Sequence, residues 1–195
     1  MHPVSQPARR KLTCSHRAAR APTAPVAVLA ALAATFGAGA STASAATVSL
    51  SVDVPGTPSA VWSFVGPFCA IKDWLPPVGT CGEDGRQPPT RTLVTKDGSA
   101  TFVERQTARN DLRHSYTYEF VSSPLPLSHY RATISVTGKG DGYSTVTWRG
   151  RYTPDAGKAK DARQALEGIY AAGLGSIKDH ATQRFAPVAA SGNGR

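Results

Sequence analysis

Acidic side chains are scarce in this chain and unevenly placed. Thirteen Asp and Glu stand against 22 Lys and Arg in 195 residues, and the first acid is Asp53. Histidines 114, 129 and 180 and cysteines 69 and 81 fall at no metal-ligand spacing, which excludes a zinc-type site and leaves no cofactor implied. No G-x-S-x-G elbow occurs, since Ser176 lies within a helical pattern. Gly138, Gly140 and Gly142 imitate a phosphate loop but lack the helix that must follow, so they read as a hairpin turn. Basic residues are scattered, with no run interleaved with aromatics, so a nucleic-acid partner is not implied.

The N-terminus accounts for much of the positive charge. Residues 1–45 carry Arg9, Arg10, Lys11, Arg17 and Arg20, then an apolar run from Ala24 to Ala40, then small residues from Ser41 to Ala46. A basic region, an apolar core and an A-x-A-like site (Ala43, Ser44, Ala45) are the parts of a secretory signal peptide. Cleavage is expected near Ala45–Ala46, with export to the periplasm or outside the cell. The alternative, a membrane anchor, is weaker, because the run is mostly Ala and Gly and barely reaches the ~17–25 apolar residues of a span. Arg9-Arg10 leaves a twin-arginine route open. Without those five cations 17 basic residues face 13 acids, and the net charge falls from +9 to about +4.

Residues 46–185 suit one domain, and residues 186–195 read as a disordered tail. Cys69 and Cys81 form an even pair in an exported chain, so a disulfide is expected. Val48–Val54 alternates apolar and polar residues as a half-buried strand does. Thr57 and Pro58 start a short helix that Gly66-Pro67 ends, and Phe68–Trp74 reads as a second. Strands are then expected over 90–95, 100–107, 113–121, 130–137 and 143–152, with a hairpin turn at Asp97-Gly98. Residues 83–89 read as a polar loop. Lys158–Ala181 reads as one long helix with Leu166, Ile169, Gly173 and Ile177 on one face. Its Gly168, Gly173 and Gly175 each cost roughly 1 kcal/mol relative to Ala. They imply either close packing on a sheet or space left for something else. Strands followed by one helix indicate an α+β fold.

These segments resemble the SRPBCC (START/Bet v 1-like, helix-grip) superfamily, in its polyketide cyclase/dehydrase-like branch. The resemblance rests on V-W-S-F-V-G-P-F (61–68), D-W-L-P (73–76), R-T-L (91–93), V-E-R (103–105), Y-T-Y-E-F (116–120), S-P-L-P-L-S-H-Y (123–130) and G-I-Y-A-A-G-L (168–174). It implies a seven-stranded antiparallel sheet wrapped around the C-terminal helix, with two short helices after the first strand and an apolar cavity between sheet and helix. It also implies that Glu104 and Tyr130 point into that cavity, where related receptors carry E-R-L and x-N-Y motifs. Here Gln106 and His129 depart from those motifs.

The candidate ligand-binding residues are therefore Glu104, Tyr118, Tyr130, His129, Trp74, Trp148 and Gly173. Glu104 shares a strand face with Phe102. Inward, it would be a desolvated carboxylate with a raised pKa, able to anchor a polar group or act as a base. Otherwise it would pair with a basic side chain such as Arg131 or Arg149. The expected partner is a small apolar or amphipathic molecule, held without chemistry. A cyclase or dehydratase with Glu104 as base, and a helper of another exported protein, are the alternatives.

Overall fold

The computed structural model describes residues 44–185; all but the last two residues of the expected signal peptide, and the expected tail, lie outside them. β1 (Ala46–Pro55) leads to α1 (Pro58–Val65), a 3-10 turn (Phe68–Ala70) and α2 (Ile71–Trp74). Then come β2 (Val78–Glu83), β3 (Thr90–Thr95), β4 (Thr101–Asn110), β5 (Ser115–Ser122), β6 (Leu127–Gly140), β7 (Tyr143–Pro154) and α3 (Ala159–Phe185). The seven strands form one antiparallel sheet in the order β1-β7-β6-β5-β4-β3-β2. With α3 on one face, this is the helix-grip α+β architecture that the resemblance implied.

Local chemistry explains the joints. Thr57 accepts a hydrogen bond from the Ala60 N–H at 3.3 Å, and Pro58 begins α1 without needing a donor. The β3–β4 turn is tied by Asp97, whose Oδ1 accepts from Thr95 Oγ1 at 2.6 Å and from the Ser99 N–H at 3.1 Å. Gly98 takes the positive φ of 70° that this turn requires.

One strand escaped the sequence reading. β2 has the sequence VGTCGE, with two glycines and only Val78 buried, so it shows no apolar alternation. It is an edge strand held from outside: it pairs with β3, and a disulfide joins Cys81 to Cys69 of the 3-10 turn, Cα atoms 5.5 Å apart. Closing that loop is worth on the order of 3 kcal/mol in the chain-entropy account. The Asp84 carboxylate then organises the loop to β3, accepting from the N–H groups of Arg86 and Thr90.

The sheet does not grip α3 evenly. The helix packs against β1, β7 and α2, so the β1–β7 side is closed on it. Trp148 of β7 stacks on Tyr170 of α3, with centroids 4.1 Å apart and planes 8° apart, and Trp74 of α2 meets Trp148 edge-on at 5.6 Å. Such pairs contribute about 0.5–1.5 kcal/mol each beyond their area. Of the three helix glycines only Gly173 is buried; a Cβ there would lie 2.9 Å from Trp148 and 3.2 Å from Leu75. Gly168 and Gly175 face open space.

Candidate ligand cavity

Between α3, the end of α2 and the strands β3 to β6 lies a cavity of about 230 Å³. Its wall is built from alternate residues of each strand, because side chains on a strand alternate faces. Leu75, Leu93, Phe102, Phe120, Trp148 and Ile169 supply apolar surface, while Glu104, Tyr118 and Tyr130 are its main polar-bearing members.

Glu104 is paired, and its partner is Arg91 of β3, not Arg131 or Arg149. Both residues are buried, Arg91 completely and Glu104 at 4% exposure. Arg91 Nε donates to Glu104 Oε2 at 2.6 Å. Arg91 Nη2 also lies 2.6 Å from that oxygen, but without hydrogen-bond alignment. Nη1 donates to the Phe68 carbonyl, and the Phe68 ring covers the guanidinium at 4.0 Å. The disulfide at Cys69 thus fixes the turn that closes over Arg91. Burial pushes the Glu104 carboxyl above its ordinary range, and Arg91 opposes that shift. Burial disfavours the Arg91 cation, but Glu104 and the neighbouring tyrosines outweigh it and leave its pKa raised.

Arg91 carried no role in the sequence reading although a signal was present. A hairpin closed around Asp97-Gly98 sets Arg91 opposite Glu104, and that is the observed register. Arg91 also shares a strand face with Leu93. An arginine two residues from a core leucine, facing an inward glutamate, is the expected mate.

A second polar feature crosses from sheet to helix. Trp148 Nε1 donates to the Tyr118 hydroxyl at 3.1 Å. The Tyr118 and Tyr130 hydroxyls are 3.2 Å apart, and Tyr130 and Tyr170 are 2.7 Å apart. Burial raises the pKa of Tyr118 and Tyr130 well above the phenol range and raises that of Tyr170, so all three stay neutral donors and acceptors. Tyr170, the helix end of this chain, was not among the sequence candidates. Gly150 makes room for it: a Cβ there would strike the Tyr170 hydroxyl.

The remaining candidates lie elsewhere. His129 has φ 51° at a bulge where Ser128 to Arg131 of β6 oppose Thr153 to Arg151 of β7. The bulge reverses the strand's facing, so Tyr130 turns inward while His129 is exposed on the outer face, its Nδ1 3.2 Å from Ser128 Oγ. Asn tolerates such a conformation best and His is also enriched there, which gives the x-N-Y position a backbone reason. Trp74 is buried behind Trp148, and Gly173 packs on both; neither lines the cavity. Among the described residues no cluster of His, Cys, Asp or Glu is placed to hold a metal ion.

A seven-stranded antiparallel sheet closed on a long helix, with an apolar cavity between them, is the helix-grip fold. The chain belongs to the family described as polyketide cyclase / dehydrase and lipid transport, whose profile matches residues 45–182. Among solved structures it is similar to the protein XoxI of Bacillus cereus, at 31% identity and TM-score 0.66, over 70% of this chain and 95% of that one. It is similar also to a Streptomyces aromatase/cyclase, at 18% identity and TM-score 0.61, over 76% and 99% of the two chains. A norcoclaurine synthase from Thalictrum flavum, solved with dopamine and hydroxybenzaldehyde, matches at 13% identity and TM-score 0.60, over 74% and 90%. The last two likenesses are of fold alone. No curated protein matches the chain.

Proposed function

We propose that this is an exported binding protein that holds a compact apolar or amphipathic molecule between its sheet and α3. The cavity carries the reading: about 230 Å³ of space with almost wholly apolar walls. A dry apolar cavity of about 150 Å³ takes benzene, and drug-sized pockets run to roughly 300–1,000 Å³. One or two rings therefore suit this volume, and the Tyr118 and Tyr130 hydroxyls would meet a polar substituent. Glu104 is occupied by Arg91, which weighs against a free catalytic base and in favour of binding without chemistry. Export rests on the N-terminal pattern and on the Cys69–Cys81 disulfide, a bond of oxidising compartments.

The test uses protein recovered from the exporting host, examined by native mass spectrometry, then titrated with a two-ring probe such as 2-naphthol. A co-purifying small molecule, or saturable one-to-one binding that alters tryptophan emission, is expected. Ile169→Trp, which fills the cavity, should remove that binding while the protein still melts cooperatively. Absence of both co-purifying ligand and saturable binding would overturn the proposal.

A further inference from the structure

Basic residues that are scattered in the sequence meet on the outer face of the sheet. Arg131 of β6 lies directly opposite Arg151 of β7. Arg149, two residues from Arg151, shares its face and stands opposite Thr133. Directly opposed Cβ atoms are about 5 Å apart and diagonal neighbours about 7–8 Å, so the three guanidinium groups can converge on one point. All three side chains are exposed. The acids of this face are engaged elsewhere: Asp53 with Lys139, and Glu119, although opposite Arg131, with Arg105. Among the described residues no salt bridge reaches Arg131, Arg149 or Arg151. Around them is a shallow concavity of about 690 Å³, completed by Thr47, Thr133 and His129.

Like charges placed opposite each other on a sheet are destabilising. The surrounding strands offer Ser and Thr at the equivalent positions, as at Ser135 opposite Thr147, so the arginines are not needed to form the sheet. We infer that this outer-face triad is a binding site for a phosphate-bearing anion, separate from the internal cavity. Arginine forks match phosphate oxygens two at a time. Three of them around one point suit a group with more than a single negative charge, such as a phosphate monoester or pyrophosphate, better than a lone carboxylate. The threonine hydroxyls can donate further hydrogen bonds. The phosphate can be carried by a soluble molecule or by a lipid headgroup, and the chemistry of recognition is the same.

The test is a titration of the folded protein with pyrophosphate, and separately with vesicles containing phosphatidic acid, a lipid phosphate monoester, against phosphatidylcholine vesicles, read by amide NMR shifts and co-sedimentation. Shifts should concentrate at Thr47, Thr133, Arg149 and Arg151 and weaken with added salt. The triple variant Arg131→Gln/Arg149→Gln/Arg151→Gln should bind roughly tenfold more weakly or worse, whereas Arg113→Gln, away from the patch, should bind as the parent does. The triple variant loses charge repulsion, so it should melt no lower than the parent; if it fails to fold, Arg149→Gln alone, with a partial loss, serves instead. Binding of pyrophosphate identifies a soluble source, and binding only of the anionic vesicles a lipid source. No binding to either, or binding that Arg113→Gln weakens as much as the triple variant does, overturns the inference.

Discussion

Removing one member of the Arg91–Glu104 pair leaves the other dry and without its counter-charge. Glu104→Gln should cost about 3–5 kcal/mol, read as a fall in the midpoint of denaturant unfolding, because a buried guanidinium then lacks compensation. Replacing both, as Arg91→Met/Glu104→Leu, should restore most of that stability. Had Glu104 been a solitary cavity acid, the single substitution would have left folding intact. The inward facing of Glu104 was legible from its alternation with Phe102; the mate was not, because an arginine in a strand is by default a surface residue. The tyrosines give a prediction of opposite visibility. Tyr118 and Tyr130 hold their protons well above the phenol range. Raised folded values stabilise the protein below the unfolded pKa of about 10, and that stabilisation is lost as pH rises through the folded values. Stability should therefore decline above about pH 10, with phenolate absorbance from these residues appearing only together with unfolding.

At the scale of elements, α3 separates its glycines by what they face. Gly168→Ala and Gly175→Ala meet nothing within 4 Å and should each raise stability by roughly 1 kcal/mol. Gly173→Leu should do the reverse, since even a Cβ crowds Trp148, and overpacking of this kind costs about 1–3 kcal/mol or more. Thermal melting of the three variants distinguishes them. The sequence offered packing or cavity space as reasons for these glycines; the structure gives packing at one and neither at two. The periodicity located α3, and Thr57-Pro58 located α1 to the residue. β2 was invisible for a physical reason: an edge strand pinned by a disulfide and a single ladder needs no apolar alternation of its own.

For the whole molecule, the ordering of most strands and the one long helix was readable because the β3–β4 and β6–β7 hairpins carry glycines at turn positions that take positive φ. Tertiary placements were not: the outer-face arginines become neighbours only through the β6–β7 register, which a bulge at His129 shifts. The proposed export makes a prediction at this scale. The recovered protein should have an intact mass matching a start near Ala46 and no free thiol, checked by mass spectrometry and thiol titration. A chain retaining residues 1–45 would remove the export reading without touching the fold.

The uneven grip on α3 has an evolutionary consequence. One half of the sheet, β1 and β7, carries the helix; the other half, β2 to β4, supplies much of the cavity wall without holding it. Phe102, Ala100 and Thr95, each only partly buried, can therefore drift in size with less effect on the helix's anchorage than the buried Leu93. On the proposed binding role, selectivity and robustness fall to different strands, and a lineage could retune what it holds without first weakening the scaffold.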